Sequence, residues 1–234
     1  MDDNPSVDGP MTVDFPDEVE APLLRAHRYL QRALDEVDRV RQAAIDQNAV
    51  TGLPGAVSCE REVARAMRDG REVCVVLADL ANLEAYNAAY GIDAGNRMIQ
   101  LTGDCLCDLV DPVRGSGRFV GHLGADDLLY VCSAAEARDL SGRIAEEFDK
   151  RVRDSFRDQD LERGFFVAVD RQGGPHRFPI TTLSMGGVEL AKGAYSEAFQ
   201  ALDACREVKG VAKTHERSCL FVCRRGPPSE REGS

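Results

Sequence analysis

Val120-Gly121-His122-Leu123-Gly124-Ala125-Asp126-Asp127-Leu128-Leu129-Tyr130-Val131 decides how this chain is read. Two apolar runs flank a Gly-Ala-Asp-Asp corner, the pattern of a β-hairpin whose bend carries adjacent carboxylates. Gly and Asp are turn formers in their own right, so the corner alone requires no function. Asp79 shifts the balance. It lies near the end of Val73-Cys74-Val75-Val76-Leu77-Ala78-Asp79-Leu80, a continuous apolar run of the kind expected for a strand buried on both faces. Three carboxylates gathered there would repel one another unless solvated, hydrogen-bonded or matched by a cation.

At 234 residues, 43% of them hydrophobic, the chain suits one domain with an extension. Its net charge of −11 is uneven: residues 1–22 hold seven acids and no base, leaving −4 for the rest. No Lys/Arg-rich face suggests duplex nucleic acid. No apolar run approaches the roughly 18–20 residues that span a bilayer, and the acidic start is unlike a secretory leader. Eight cysteines include no CxxC pair, and Cys74, Cys132 and Cys219 sit in apolar runs. They are expected to be reduced core thiols in a cytoplasmic protein.

Residues 1–21 read as a disordered acidic tail. Pro22 then opens a helix to about residue 47, in which Leu23, Leu30, Val37 and Ala44 recur every seven residues. Ala26, Ala33 and Val40 complete the seam, which is expected to pair two copies in parallel. After the breaker-rich corner Asn48–Gly55, a helix over 56–68, the strand ending in Asp79, and helices over 82–90 and 93–110 are expected. A loop over 111–117, the hairpin, and a long helix over 134–156 come next. Strands at 165–169 and 178–188, a helix over 196–213, a strand over 219–223 and a polar tail over 224–234 complete the order. The fold class is α+β, with helices on a central antiparallel or mixed sheet.

If Asp79 faces Asp126 and Asp127, a hard cation belongs among them. Mg²⁺ takes one or two carboxylates with waters and phosphate oxygens, so a nucleoside triphosphate is its natural companion. Such an ion could align a hydroxyl for attack on an α-phosphate. Lys213 and Arg217, four residues apart, share a face if their helix persists that far, and could hold phosphates. Otherwise they are a solvated helix end that offsets the dipole.

These pieces, in this order, resemble the GGDEF domain of diguanylate cyclases, which joins two GTP molecules into cyclic di-GMP. Val50-Thr51-Gly52-Leu53-Pro54 is similar to the family's LTGLPNR opening, and Leu77–Gly91 to its DxDxFKxxNDxxGH segment. Gly124-Ala125-Asp126-Asp127-Leu128 stands at the name motif. Thr182-Leu183-Ser184-Met185-Gly186 resembles the TxSxG strand, and Ala212–Ser218 the AKxxGRN close. The resemblance covers about residues 48–223 and implies a palm-like core related to nucleotidyl cyclases and polymerases. It implies Asp79 and Asp126 as metal ligands, Asp126 and Asp127 as the catalytic motif acids, and Mg²⁺ with GTP as cofactor and substrate. Asn87 is implied at the guanine, and Lys213 with Arg217 at the phosphates.

The match is incomplete. Ala81 replaces the second Asp of DxD, Glu84 a phosphate-facing Lys, and Ala88 the Asp after Asn87. Asn96 stands where the family has a second guanine-binding acid. Ala125 replaces a glycine, with strain on the order of 1 kcal/mol if its φ is positive. The inhibitory RxxD is absent, with Gly115 and Arg118 at its two ends. His122 is expected to pack or cap rather than catalyse. The expectation is therefore a degenerate GGDEF protein in cyclic-dinucleotide signalling, impaired as a cyclase. It would be a homodimer through residues 22–47, acting with an unidentified signalling protein. The alternatives are an active Mg²⁺-dependent cyclase making cyclic di-GMP or a mixed product from GTP and ATP, and a ligand-free interaction scaffold.

Overall fold

The computed structural model describes residues 17–111, 118–169, 173–191 and 193–223. It divides into two compact units, residues 1–45 and 46–234. The described part of the first is one helix, α1 (Asp17–Ile45). The helix starts five residues before Pro22, so residues 17–21 are helical, contrary to the expected tail. Pro22 lies inside the helix and costs a single backbone bond. Leu23, Leu30, Leu34 and Val37 are all exposed. Within the seam, Val40 and Ala44 fall outside the described side chains, as residues 1–16 and the tail 224–234 fall outside the described chain.

The second unit runs α2 (Ala56–Arg68), β1 (Val73–Leu80), α3 (Leu83–Tyr90), α4 (Ile92–Val110), β2 (Phe119–Gly124) and β3 (Asp127–Ser133). It continues with α5 (Ala137–Arg151), a 3₁₀ turn (Val152–Ser155), α6 (Asp158–Arg163), β4 (Phe165–Val169) and β5 (Pro175–Pro179). β6 (Leu183–Leu190), α7 (Ala198–Ala212) and β7 (Cys219–Cys223) complete it. The main sheet has the order β2-β3-β1-β6-β7 and is antiparallel except for the parallel β6–β7 pair. The mixed sheet flanked by helices is the expected α+β class.

β1 lies at the centre, and all eight of its residues are buried. Its side chains alternate between two cores. Cys74, Val76, Ala78 and Leu80 pack with Tyr86, Met98, Leu106, Ile144 and Phe148 from α3, α4 and α5. Val73, Val75 and Leu77 pack with Cys59 and Val63 of α2 and Ala201, Leu202 and Cys205 of α7. Burial of each such Val or Leu contributes about 1.5–3 kcal/mol, which is why an uninterrupted apolar run becomes the middle strand. None of the eight thiols is joined in a disulfide. No helix among the described residues is long and apolar enough to cross a membrane.

Two boundaries differ from those expected. The strand expected over 178–188 is two: β5 ends at Pro179, which has no N–H to donate, and pairs with β4 in a separate ribbon. Residues 180–182 then carry the chain to β6, where the Thr182 carbonyl accepts from Ala81 N–H at 2.9 Å. The helix expected over 134–156 shortens to α5, and its remainder becomes the 3₁₀ turn, followed by α6, which the periodicity did not indicate. The expected loop at 112–117 lies outside the described residues.

One glycine sets how closely α7 docks. A Cβ at Gly186 of β6 would lie 2.1 Å from Lys209 N and 2.5 Å from Cys205 O, both α7 backbone atoms. Gly186→Ala is expected to destabilise the fold by at least about 2 kcal/mol, because backbone rather than a pliable side chain must move. Urea unfolding of the full chain measures it.

Candidate functional site

Strand parity brings the acids together. On β1, the residues with odd numbers face α2 and α7, so Asp79 points to that side, opposite Ser184 of β6. Asp127 opens β3, and its same-face successors Leu129 and Val131 share the α2–α7 core with Val75 and Leu77. Ala125 and Asp126 form the two-residue bend between Gly124 and Asp127, which are register partners. Asp79 and Asp127 therefore lie at one end of one face, with Asp126 beside them on the bend.

The cation among them comes from the chain itself. Lys209, on the buried stripe of α7 and 8% exposed, donates from Nζ to Asp79 Oδ2 at 2.9 Å and also to Asp127 Oδ1. Lys213 Nζ lies 2.8 Å from Asp79 Oδ1. That contact is an ion pair off the hydrogen-bonding direction, so the buried Oδ1 has no hydrogen-bond partner among the described residues. Burial by itself would lower the pKa of the Lys209 ammonium, but hydrogen bonds to Asp127 and Asp79 outweigh it and hold the value above the ordinary 10.5. Asp126 is pushed above the ordinary 3.8 by desolvation first and by repulsion from Asp79 second, with a backbone hydrogen bond, and Lys213, opposing.

As arranged, these residues do not fit a divalent ion. Both oxygens of Asp79 face ammonium groups, and one oxygen of Asp127 is taken by the same lysine. No group of three or more His, Cys, Asp or Glu residues is disposed to hold a metal among the described residues. Sequence reasoning missed Lys209. The available signal was a lysine in register with Ala201, Leu202, Cys205 and Ala212, the buried positions of α7.

The other sequence candidates are spread around this centre. α7 ends at Ala212, so Lys213 and Arg217 do not share a helical face. Lys213 meets Asp79, whereas Arg217 lines a cavity of about 330 Å³ with Arg153, Asp149 and Thr181. Asn87 packs its carboxamide against Gly95 of α4, where an added Cβ would meet Asn87 Oδ1 at 1.7 Å. That oxygen is buried and has no hydrogen-bond partner among the described residues. Asn96 is exposed on the next residue of α4. Glu84 lies with Asn82, Ala88 and Phe178 at a cavity of about 440 Å³ between α3 and the β4–β5 ribbon. Arg118 donates to Glu136 Oε1 at 3.0 Å and to the Val110 carbonyl at 3.1 Å, while Gly115 is outside the described residues.

The bend is held in place by His122. Its Nε2 donates to the Ala125 carbonyl at 2.9 Å, which leaves Nδ1 to accept from Thr51 Oγ1 at 3.1 Å. The expected packing role is what this buried imidazole performs. Ala125 has φ +50°, so the anticipated strain is present at the bend.

Asp126 supplies a test of the electrostatics. A carboxyl whose folded pKa is raised costs stability above that pKa, and the cost fades as pH falls through it. Asp126→Asn is therefore expected to raise the melting temperature at pH 7, with the gain shrinking toward pH 3. Thermal melts across that range check it.

A family model described as "Diguanylate cyclase, GGDEF domain" matches residues 45–166. The coiled coil and GGDEF domain of DgcB from Caulobacter crescentus, solved with c-di-GMP, matches with a TM-score of 0.57 and 15% identity. That match covers 88% of this chain and 100% of the other. The GGDEF domain of TpbB (YfiN) from Pseudomonas aeruginosa gives a TM-score of 0.56 at 17% identity, over 76% and 94% of the two chains. The diguanylate cyclase SiaD from Pseudomonas aeruginosa, solved with its activator SiaC, gives 0.54 at 20% identity, over 88% and 72%. No curated protein matches by sequence. With the motif acids on one face of a mixed sheet and a family model spanning more than half of its length, this chain belongs to the GGDEF family of diguanylate cyclase domains.

Proposed function

We propose that the chain is a regulatory GGDEF module of cyclic-dinucleotide signalling whose cyclase activity is lost or severely impaired. One observation carries this reading: Lys209 bridges Asp79 and Asp127, the acids on which metal-assisted phosphoryl transfer would rely. The substitutions Ala81, Glu84 and Asn96 support it. A carboxylate at Glu84 opposes a triphosphate, and Asn96 cannot accept from both guanine N–H groups as a carboxylate does. Asn87, Asn96, Lys213 and Arg217 remain as the contacts for any nucleotide the module holds. Incubation of the full chain with GTP, ATP and Mg²⁺ is expected to release pyrophosphate at least about a thousandfold more slowly than an ordinary enzyme turnover of ~10 s⁻¹. Steady turnover that Asp126→Asn abolishes would instead make it an active cyclase.

Residues 22–47 are the proposed dimerisation segment, residues 48–223 the signalling domain. The exposed seam Leu23, Leu30 and Val37 supports pairing with a second copy, since an isolated helix gains little stability until its apolar stripe is covered. DgcB is a coiled-coil GGDEF protein and SiaD is solved with a protein activator, and both are consistent with a dimer that answers to a signalling partner. The double variant Leu30→Glu/Val37→Glu of the full chain is expected to halve the mass seen by light scattering, without loss of the second unit's helical circular dichroism.

A further inference from the structure

We propose that the cavity of about 330 Å³ between the end of α5, the 3₁₀ turn, the β5–β6 connector and the α7–β7 loop takes a free α-amino acid, held as its zwitterion. This ligand goes beyond the regulatory reading and does not depend on the module being inactive. Thr181 supplies the first observation. It lines the cavity and is 1% exposed, and its hydroxyl is buried with no hydrogen-bond partner among the described residues. An unmet buried hydroxyl is costly, and a ligand atom that bonds it removes the cost.

The charges around the cavity are the second observation. Arg153 and Arg217 line it, and so do Asp149 and Glu216, yet none of the four makes an ion pair among the described residues. Asp149 Oδ1 accepts from the Ser218 hydroxyl, whose oxygen accepts in turn from Leu183 N–H at 2.8 Å. Asp149 Oδ2 is left without a hydrogen-bond partner among the described residues. Burial pushes the Asp149 carboxyl above its ordinary 3.8, and the Ser218 hydrogen bond opposes the rise. A positive group beside it would favour the ionised form.

Two cationic and two anionic side chains around one cavity leave it no net charge. A phosphate dianion would meet both carboxylates there, and a simple cation both guanidinia. A zwitterion suits all four. Its carboxylate pairs with a guanidinium in the fork geometry arginine presents, and its ammonium with Asp149 or Glu216. Val152, Leu161 and Ile180 form an apolar part of the wall, which suits an aliphatic side chain. The volume lies at the small end of the range for ligand pockets, and so favours an amino acid over a dinucleotide.

The test uses the full chain and its Thr181→Val and Arg153→Gln variants. Arg217 stays unchanged, because it is also a proposed nucleotide contact. The probes are L-leucine, L-isoleucine and L-valine at millimolar concentration, read by thermal melts and then by isothermal titration. The native chain is expected to melt higher with at least one of the three. The amide of that amino acid, and the matching carboxylic acid without the amine, are each expected to bind at least about tenfold more weakly. The same loss is expected when the amino acid meets either variant, and inorganic phosphate is expected to give no shift. Without ligand, Thr181→Val is expected to melt no lower than the native chain, since the hydroxyl it removes has no partner to lose.

No shift with any of the three amino acids, or equal affinity in native and variant chains, would overturn the proposal. So would a phosphate shift that Arg153→Gln abolishes, which would make the cavity an anion site. A ligand-free Thr181→Val chain that melts lower would assign the hydroxyl to the fold and sink the proposal as well. Pyrophosphate release by the native chain bears on the regulatory reading alone.

Discussion

A buried ammonium held between the buried carboxylate of Asp79 and the half-buried carboxylate of Asp127 is the constraint around which this domain is arranged. Taking such charges out of water costs several kcal/mol per ion, and only close, hydrogen-bonded geometry offsets that cost. Asp79 brings one partner from the central strand, Asp127 another from the hairpin, and Lys209 the third from the last helix. Three elements far apart in sequence are therefore held to a common point by charge, where neighbouring contacts on both faces are apolar. Breaking such a set by loss of one member typically costs about 3–5 kcal/mol, against about 0–1 for an exposed pair such as Arg206–Asp203.

On the proposed reading, the same arrangement separates family membership from family chemistry. The sheet order, the Gly-Ala-Asp-Asp bend and the strand carrying Asp79 are those of a nucleotide-joining fold. Beside the bend, positive charge is supplied from within the chain, by Lys209. A fold keeps its shape under such an exchange because the acids stay compensated and both faces of the sheet stay covered by apolar side chains. Its chemistry is sensitive to the exchange, since reaction at a phosphate needs charge placed to within tenths of an ångström.

Most of the architecture was legible in the residues. The run Val73–Leu80 announced a strand buried on both faces, and Asp79 stood out as the one charge in it. The Gly91 break between α3 and α4 and the hairpin corner were readable because local φ/ψ requirements choose particular residues. What could not be read were outcomes decided at a distance. The split of 178–188 into β5 and β6 depends on which neighbour each half finds, and α6 has too few residues for periodicity to register. Lys209 was not legible as part of the site. Its burial follows from α7 pressing on Gly186, a tertiary contact with no local signature beyond the apolar stripe it interrupts.

His122 joins two places that the chain separates by many residues. One ring nitrogen holds Thr51, in the corner that follows the first unit, and the other holds the carbonyl of Ala125 at the bend. That corner is itself braced, with Asp46 accepting from Ser58 N–H and Gln47 bridging to Pro54. An imidazole is rigid, so it works as a strut of fixed length. The corner cannot shift without either rotating the bend with it or giving up a partly buried bond, which makes the two ends of the strut one mechanical part.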